Sequence, residues 1–311
     1  MDGNSISLKI IRNTVFNIAG RSWSVLVSLV LTPYILHRIG MERFGIWALA
    51  GSLTGYFSLL DFGVGASFVK YIAEFNARNE HEKVNQLVNS GWILYSILGI
   101  LIMAAALFLV RPLFVFFKVP SRLFNEAVFV FLLGTLSFTI ANALSPFAAI
   151  QGGLQRMDIS NKIAMAVSIP SIIGTVFFLK AGYGLPGLMI NNTIILLIGS
   201  IINLIVAFKI LPGLRINPFL SDWRMMKKMF RYGIRVYITR LEGILTYRTD
   251  ALLIAYFLNI RLVGLYQLGS TIVEKARELP LLFVSAVVPA ASEIEAKKEK
   301  ERLRELYVRG T

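Results

Sequence analysis

The chain has 311 residues, of which 56% are hydrophobic and only 16% charged. A soluble core of that size cannot bury so much apolar surface, which excludes an ordinary water-soluble domain, and the lack of any cysteine excludes disulfides, thiolate nucleophiles and sulfur-ligated metal centres. The formal charge of +14 would suit nucleic acid, yet Lys and Arg fall mostly in short segments between apolar runs, so no nucleic-acid partner is expected.

The opening segment, residues 1–13, offers no small-residue cleavage site, so the first apolar run is expected to remain in the chain and to target it. A helix needs roughly twenty apolar residues to cross a bilayer. On that measure eight spans are predicted. The first four run near Thr14–Leu36, Phe44–Val69, Leu87–Phe108 and Phe124–Ile150, and the next four near Ile163–Leu179, Leu185–Phe208, Gly233–Leu258 and Val263–Ala290. The runs lack sustained alternation and are about twice the length of a barrel strand, so the expected class is all-α, a polytopic transmembrane bundle. With the N-terminus inside, the inner segments hold 19 Lys and Arg and the outer ones 7. The positive-inside rule therefore places both ends in the cytoplasm.

Laid on itself with a shift of 219 residues, the chain matches weakly. Arg21 falls on Arg240, Ile35 on Ile254, Gly45 on Gly264, Leu49 on Leu268 and Glu74 on Glu293. Span ends and charged loops coincide over the same stretch. Residues 1–219 are thus expected to form a first six-helix bundle, and 220–311 to open a second with two spans. The complete protein would be a two-bundle transporter of 12 to 14 spans, with this chain as its N-terminal part.

Polar residues inside spans need a reason. In the first span, Asn17, Arg21, Ser24, Ser28 and Thr32 share one helical face, expected to line a wet interior, although Arg21 could instead snorkel to the headgroups. The seventh span carries Arg235, Arg240, Glu242, Arg248 and Asp250. Arg248 and Asp250 are too close in sequence to share a face. Arg240 stands at the repeat position of Arg21, and a guanidinium fork stays charged and suits a diphosphate or a sugar carboxylate. The eighth span places Gln267, Thr271, Glu274 and Glu278 on one face. The acidic members, with Asp61 and Asp250, are candidates for coupling to a proton or sodium gradient or for balancing the basic groups.

Asp61-Phe62-Gly63 matches a kinase metal-binding triplet in letters only, since no Gly-rich or catalytic loop accompanies it. No Walker phosphate loop occurs, so direct ATP hydrolysis is not expected. His37 and His81 fall on opposite sides of the membrane in this topology and cannot share a metal. No catalytic residue and no bound cofactor are expected.

The segments Pro33-Tyr-Ile-Leu-His-Arg-Ile-Gly, Phe44-Gly-Ile-Trp-Ala-Leu and Leu60-Asp-Phe-Gly-Val-Gly-Ala-Ser resemble the opening of the Wzx-type polysaccharide flippases. Ala149-Ile-Gln-Gly-Gly-Leu-Gln-Arg-Met-Asp, Arg248-Thr-Asp-Ala-Leu-Leu-Ile and Val263-Gly-Leu-Tyr extend the likeness, which runs from about residue 8 to 295. The resemblance implies membership of the multidrug, oligosaccharidyl-lipid and polysaccharide exporter superfamily. It also implies two six-helix bundles around a cationic cavity, and transfer of undecaprenyl-pyrophosphate-linked oligosaccharide across the cytoplasmic membrane of a bacterium or archaeon by alternating access. A polysaccharide polymerase and chain-length machinery would be partners. A drug or organic-cation antiporter of the same superfamily would need acids to dominate the cavity. A membrane glycosyltransferase would need carboxylates or a large outer loop, and every outer segment is short.

Overall fold

Gly40 decides how the chain enters the bundle. The computed structural model describes residues 3–277, with side chains given except at 3–21, 24, 239, 240, 242 and 244–247. Helix α1 (Gly3–Tyr56) consists of two arms joined at Gly40, whose φ of 78° and ψ of 164° a side chain would oppose. The first expected span lies in the first arm, and the second begins in the second arm.

The second expected span is not one continuous helix. A 3-10 turn, Phe57–Asp61, follows α1 and ends in two successive left-handed residues, Phe62 (φ 47°) and Gly63 (φ 74°). Helix α2 (Val64–Ala77) then starts afresh. Asp61 makes the break tenable, because its carboxylate accepts the Gly65 N–H at 2.9 Å and so satisfies a donor that the new helix leaves orphaned.

The remaining elements contain the expected spans and overrun them. They are α3 (His81–Phe116), α4 (Phe124–Gly153), α5 (Met157–Lys180), α6 (Gly184–Ile210) and α7 (Trp223–Phe257). A further helix, α8, runs from 260 to the edge of the described residues at 277. Some overruns are polar turns, such as His81-Glu82-Lys83 ahead of α3, where water or headgroups take over from lipid, whereas residues 109–116 at its other end are largely apolar. Among the described residues, five stretches are long and apolar enough to cross a membrane, namely Val25–Asp61, His81–Phe116, Ser121–Gly153, Met157–Lys180 and Gly184–Ile210. Helix α7 has 35 residues but is too polar to qualify by composition.

Helix α3 shows how a span with apolar residues all round chooses its inner face. Gly91, Tyr95, Gly99, Ile102, Ala106 and Val110 are buried at helical spacing, whereas Ile97, Ile100, Leu101 and Phe108 are exposed. Small residues face the neighbouring helices and large aliphatic ones face outward. In lipid there is no hydrophobic drive to pair helices, so close fit and interhelical hydrogen bonds do that work. Ser137 of α4 and Thr193 of α6 bond through their hydroxyls at 2.8 Å, and Gln151 of α4 donates to Asn203 of α6 at 2.7 Å. Asn191 of α6 donates to the Ser171 carbonyl (3.0 Å) and to Thr175 (3.1 Å) on α5. Bonds of this kind contribute on average about 0.6 kcal/mol each inside membranes.

The connection from α6 to α7 is clasped to α3. Buried Asn85 donates to the Gly213 carbonyl at 3.1 Å and accepts the Arg215 N–H at 2.8 Å. One turn on, fully buried Asn89 donates to the Arg215 carbonyl at 2.7 Å and accepts the Asn217 N–H at 2.8 Å. Ser90 accepts the Asp222 N–H at 2.9 Å. The linker thus borrows α3 side chains where a strand would use a partner strand, and this fixes where α7 begins.

Helix α7 packs on α1, α2 and α3. A Cβ on Gly45 would run into the Ile260 carbonyl oxygen, and one on Gly264 would lie 2.6 Å from the Met41 carbonyl oxygen. Met41 and Ile260, like Gly45 and Gly264, are 219 positions apart. Residue i therefore meets j′ as j meets i′, the reciprocal pattern that a local two-fold axis requires. A second close approach joins Gly63 to Gly233, where a Cβ on Gly233 would lie 2.7 Å from the Phe62 carbonyl oxygen.

Candidate functional site

Between these two glycine contacts lies a cavity of about 290 Å³. The first arm of α1 contributes Ser28 and Thr32; the second contributes Phe44, Trp47, Ala48 and Gly51; α7 gives Arg248; and α8 gives Gln267 and Thr271. Two pairs of successive helical segments, about 200 residues apart in sequence, converge here. Ser28 and Thr32 lie on the polar face expected of the first span, and both line the cavity. The other members of that face, Asn17, Arg21 and Ser24, have side chains outside the described set, as has Arg240.

Three consecutive residues of α7 divide between two neighbours, the second arm of α1 and α8, as successive steps of about 100° per residue allow. Arg248 reaches over the second arm of α1, where Gly55 leaves room for it, since a Cβ there would lie 3.4 Å from the guanidinium Nε. Thr249 and Tyr56 bond through their hydroxyls at 2.7 Å and pin α7 to the same arm. Asp250 turns away and accepts a hydrogen bond from the Tyr266 hydroxyl of α8. Among the described residues, Arg248 has no ion-pair partner and no carboxylate lines its cavity. The other lining groups are neutral donors, acceptors and an indole. Within α8, Gln267 donates to the Thr271 hydroxyl at 3.3 Å, and that hydroxyl donates to the Gln267 carbonyl at 2.8 Å.

The acidic candidates are distributed elsewhere. Asp250 and Glu274 line a separate cavity of about 510 Å³ with Tyr266, Ser270 and Arg277. The stripe read along α8 therefore divides, with Gln267 and Thr271 beside Arg248 and Glu274 beside Asp250. Glu278 lies outside the described residues. Asp61 sits inside the first group of helices, where it caps α2 and accepts from the Tyr95 hydroxyl of α3. It borders an apolar-walled void of about 20 Å³, room for about one water molecule, with Thr139 and Asn142.

The sequence reading did not include Trp47, Gly51 or Gly55 as site residues. Trp47 belongs to a motif valued only for its resemblance, and an indole on a span is as often lipid-facing as cavity-facing. The two glycines carry no chemical signal; their contribution is the space they leave.

A family model described as "Polysaccharide biosynthesis protein" matches residues 10–295. "Uncharacterized membrane protein EpsK" of Bacillus subtilis (strain 168) is 23% identical over 266 residues, covering 83% of this chain and 52% of the relative. "Putative O-antigen transporter" of Shigella flexneri is 22% identical over 302 residues, covering 95% of this chain and 69% of that protein. The chain thus spans about half the length of the first relative and two thirds of the second. Among solved structures, a MOP-superfamily transporter from Pyrococcus furiosus superposes with a TM-score of 0.66 at 16% identity, over 98% of this chain and 68% of its own. A MATE protein in complex with MaD3S superposes with a TM-score of 0.68 at 16% identity, over 98% and 69%. The chain belongs to the polysaccharide biosynthesis protein family and is an all-α, multi-pass membrane protein with the fold of the MOP-superfamily transporters.

Proposed function

We propose that this chain is part of a flippase that moves a polyprenyl-diphosphate-linked oligosaccharide from the cytoplasmic to the periplasmic leaflet for surface polysaccharide assembly. The observation that carries this reading is Arg248, a cation inside a span with no carboxylate beside it among the described residues. An uncompensated charge at that depth costs about 2.5–3.5 kcal/mol, so a ligand that brings negative charge explains its retention. A diphosphate offers oxygens to the guanidinium fork. Ser28, Thr32, Gln267 and Thr271 provide hydroxyl and amide partners for sugar hydroxyls, and Trp47 a flat apolar face. The polyprenyl tail stays in lipid while the headgroup crosses. A cation antiporter would place acids where Arg248 stands.

In this scheme residues 1–219 form one bundle and 220–311 open the second, with both ends in the cytoplasm. Alternating access separates the bundles at either end of the cavity in turn. Arg21 and Arg240 would extend the cationic path. Asp250 and Glu274, with Asp61 and Glu278 as further candidates, couple transport to a proton or sodium gradient. A polymerase and its chain-length partners receive the product.

The test is complementation of a flippase-null strain by the complete gene carrying Arg248→Ala or Arg248→Lys, with membrane abundance measured alongside. Loss of a charged hydrogen-bond pair weakens binding about 10- to 150-fold, so Arg248→Ala should abolish surface polysaccharide at normal abundance. Arg248→Lys keeps the charge without the fork and should restore part of it. Full activity of Arg248→Ala removes this cavity from the substrate path.

A further inference from the structure

The end of the molecule that carries the α2–α3 loop has a feature the cavity does not explain. Helices α2 and α7 meet there along an aromatic seam, in which Phe62 lies against Phe230 and Tyr237, and Tyr71 against Tyr232 and Phe75. Two ammonium groups rest on that seam. Lys70 Nζ lies 4.8 Å from the Tyr71 ring centre and 4.3 Å from that of Tyr232. Lys228 Nζ lies 4.4 Å from Tyr71 and 4.6 Å from Phe75. The rings are set in the core, Tyr71 being 6% and Phe75 2% exposed, whereas both lysines are exposed.

The neighbouring acids are already engaged. Glu74 pairs with Arg78 at 3.3 Å and Glu80 with Lys83 at 2.8 Å. The Lys83 hydrogen bond holds the Glu80 carboxyl below its ordinary range, with Lys228 a smaller contributor. Neither Lys70 nor Lys228 has an ion pair among the described residues. A ring face steadies an ammonium without neutralising it, so the N–H donors remain available.

Helix stability does not account for this charge either. Arg224 falls in the first turn of α7, where the helix dipole disfavours cations, Lys227, Lys228, Arg231 and Arg235 follow within the next three turns, and no acid lies between Trp223 and Leu241 to pair with them along the helix. The positive-inside pattern accounts for basic residues near a span end in general. It does not require two of them to lie on rings at a seam between helices.

We infer that Lys70 and Lys228, held on the Tyr71, Phe75 and Tyr232 rings, form an anion site for the diphosphate of the prenyl-linked substrate, where it docks before entering the cavity. The inference rests on the flippase reading. It deepens that reading by separating a docking site at the seam from the transit site at Arg248. Both ammonium groups would donate to phosphate oxygens across the junction of α2 and α7, so occupancy is sensed by the helices that must part for entry.

The test uses the complete protein in nanodiscs, with farnesyl diphosphate as the probe and thermal unfolding as the readout. Lys70→Gln/Lys228→Gln is compared with Arg224→Gln/Lys227→Gln, which removes the same charge away from the rings. Farnesyl diphosphate should stabilise the wild type and the control alike, with an apparent affinity at least about tenfold weaker in the ring-site variant. Equal weakening in both variants, or none in the ring-site variant, overturns the site. Stabilisation by phosphatidylglycerol in the disc that farnesyl diphosphate neither adds to nor displaces identifies a lipid headgroup as the occupant and overturns the substrate assignment. Complementation separates the two readings. If only the docking idea is wrong, the ring-site variant restores polysaccharide while Arg248→Ala does not; if the flippase reading is wrong, not even the wild-type gene restores it.

Discussion

Gly45→Ala tests the reciprocal contact that closes one end of the cavity. A Cβ at Gly45 meets the Ile260 carbonyl oxygen, with the Ile260 carbonyl carbon 3.0 Å and the Gly264 amide nitrogen 3.2 Å away. All three are backbone atoms and cannot rotate aside, so α8 must move off α1. Overpacking of this kind costs about 1–3 kcal/mol. Alanine returns up to about 1 kcal/mol as the better helix former, which leaves a net penalty of about 0–2 kcal/mol. Gly51 lies on the same arm with nothing within 4 Å of its Cβ position, so Gly51→Ala carries the propensity gain alone. The two variants therefore have the same chemistry and opposite signs. Thermal unfolding of the complete protein should place Gly45→Ala below wild type and Gly51→Ala at or above it. The chain has no cysteine, so Thr32→Cys is a clean reporter of cavity access. An alternative state with this end open is relieved of the clash, and Gly45→Ala should raise maleimide labelling of Thr32→Cys by up to about thirtyfold. Equal melting of the two glycine variants with unchanged labelling would refute the contact.

Two further outcomes follow from the surroundings of the site. Asn89→Ala leaves the part-buried Arg215 carbonyl and Asn217 N–H without their α3 partner, and at about 1–3 kcal/mol per orphaned group the linker should lose about 2–6 kcal/mol of local stability. Amide exchange at 213–222 should speed up accordingly; protection equal to wild type would mean the clasp is not formed. Glu80 has its pKa lowered by the Lys83 hydrogen bond, so its stabilising effect is present above its ordinary 4.5 and lost as pH falls below it. Exchange at the α2–α3 loop should therefore rise on acidification past about pH 4.5 in wild type and stay flat in Glu80→Gln.

The bundle was legible because lipid demands long apolar helices, and length is written directly in the sequence. The break in the second span was not. Leu60-Asp-Phe-Gly-Val-Gly reads as apolar and continuous, and only the left-handed pair Phe62 and Gly63, stabilised by the Asp61 cap, interrupts it. Asp61 thereby has a structural task that its position in an apolar run did not reveal. The division of α8 between two cavities was equally hidden. Glu274 stands seven residues from Gln267, nearly the same helical angle, yet the packing of α7 against α8 directs it toward Asp250.

The repeat is where sequence and structure inform each other most. A handful of matches at a shift of 219 is weak as a statistic, but the shift carries a geometric demand. If the two copies are related by a two-fold axis, contacts between them must occur in reciprocal pairs. Gly45 on Ile260 and Gly264 on Met41 form such a pair. Gly45 and Gly264 are themselves repeat mates in contact, which places the axis between them. Gly63 and Gly233 are in contact without being repeat mates, since the shift sends them to Leu282 and Thr14, outside the described side chains. One end of the cavity is therefore held by contacts on the axis and the other by a contact away from it. The off-axis seam is the one that carries Lys70 and Lys228 on its rings.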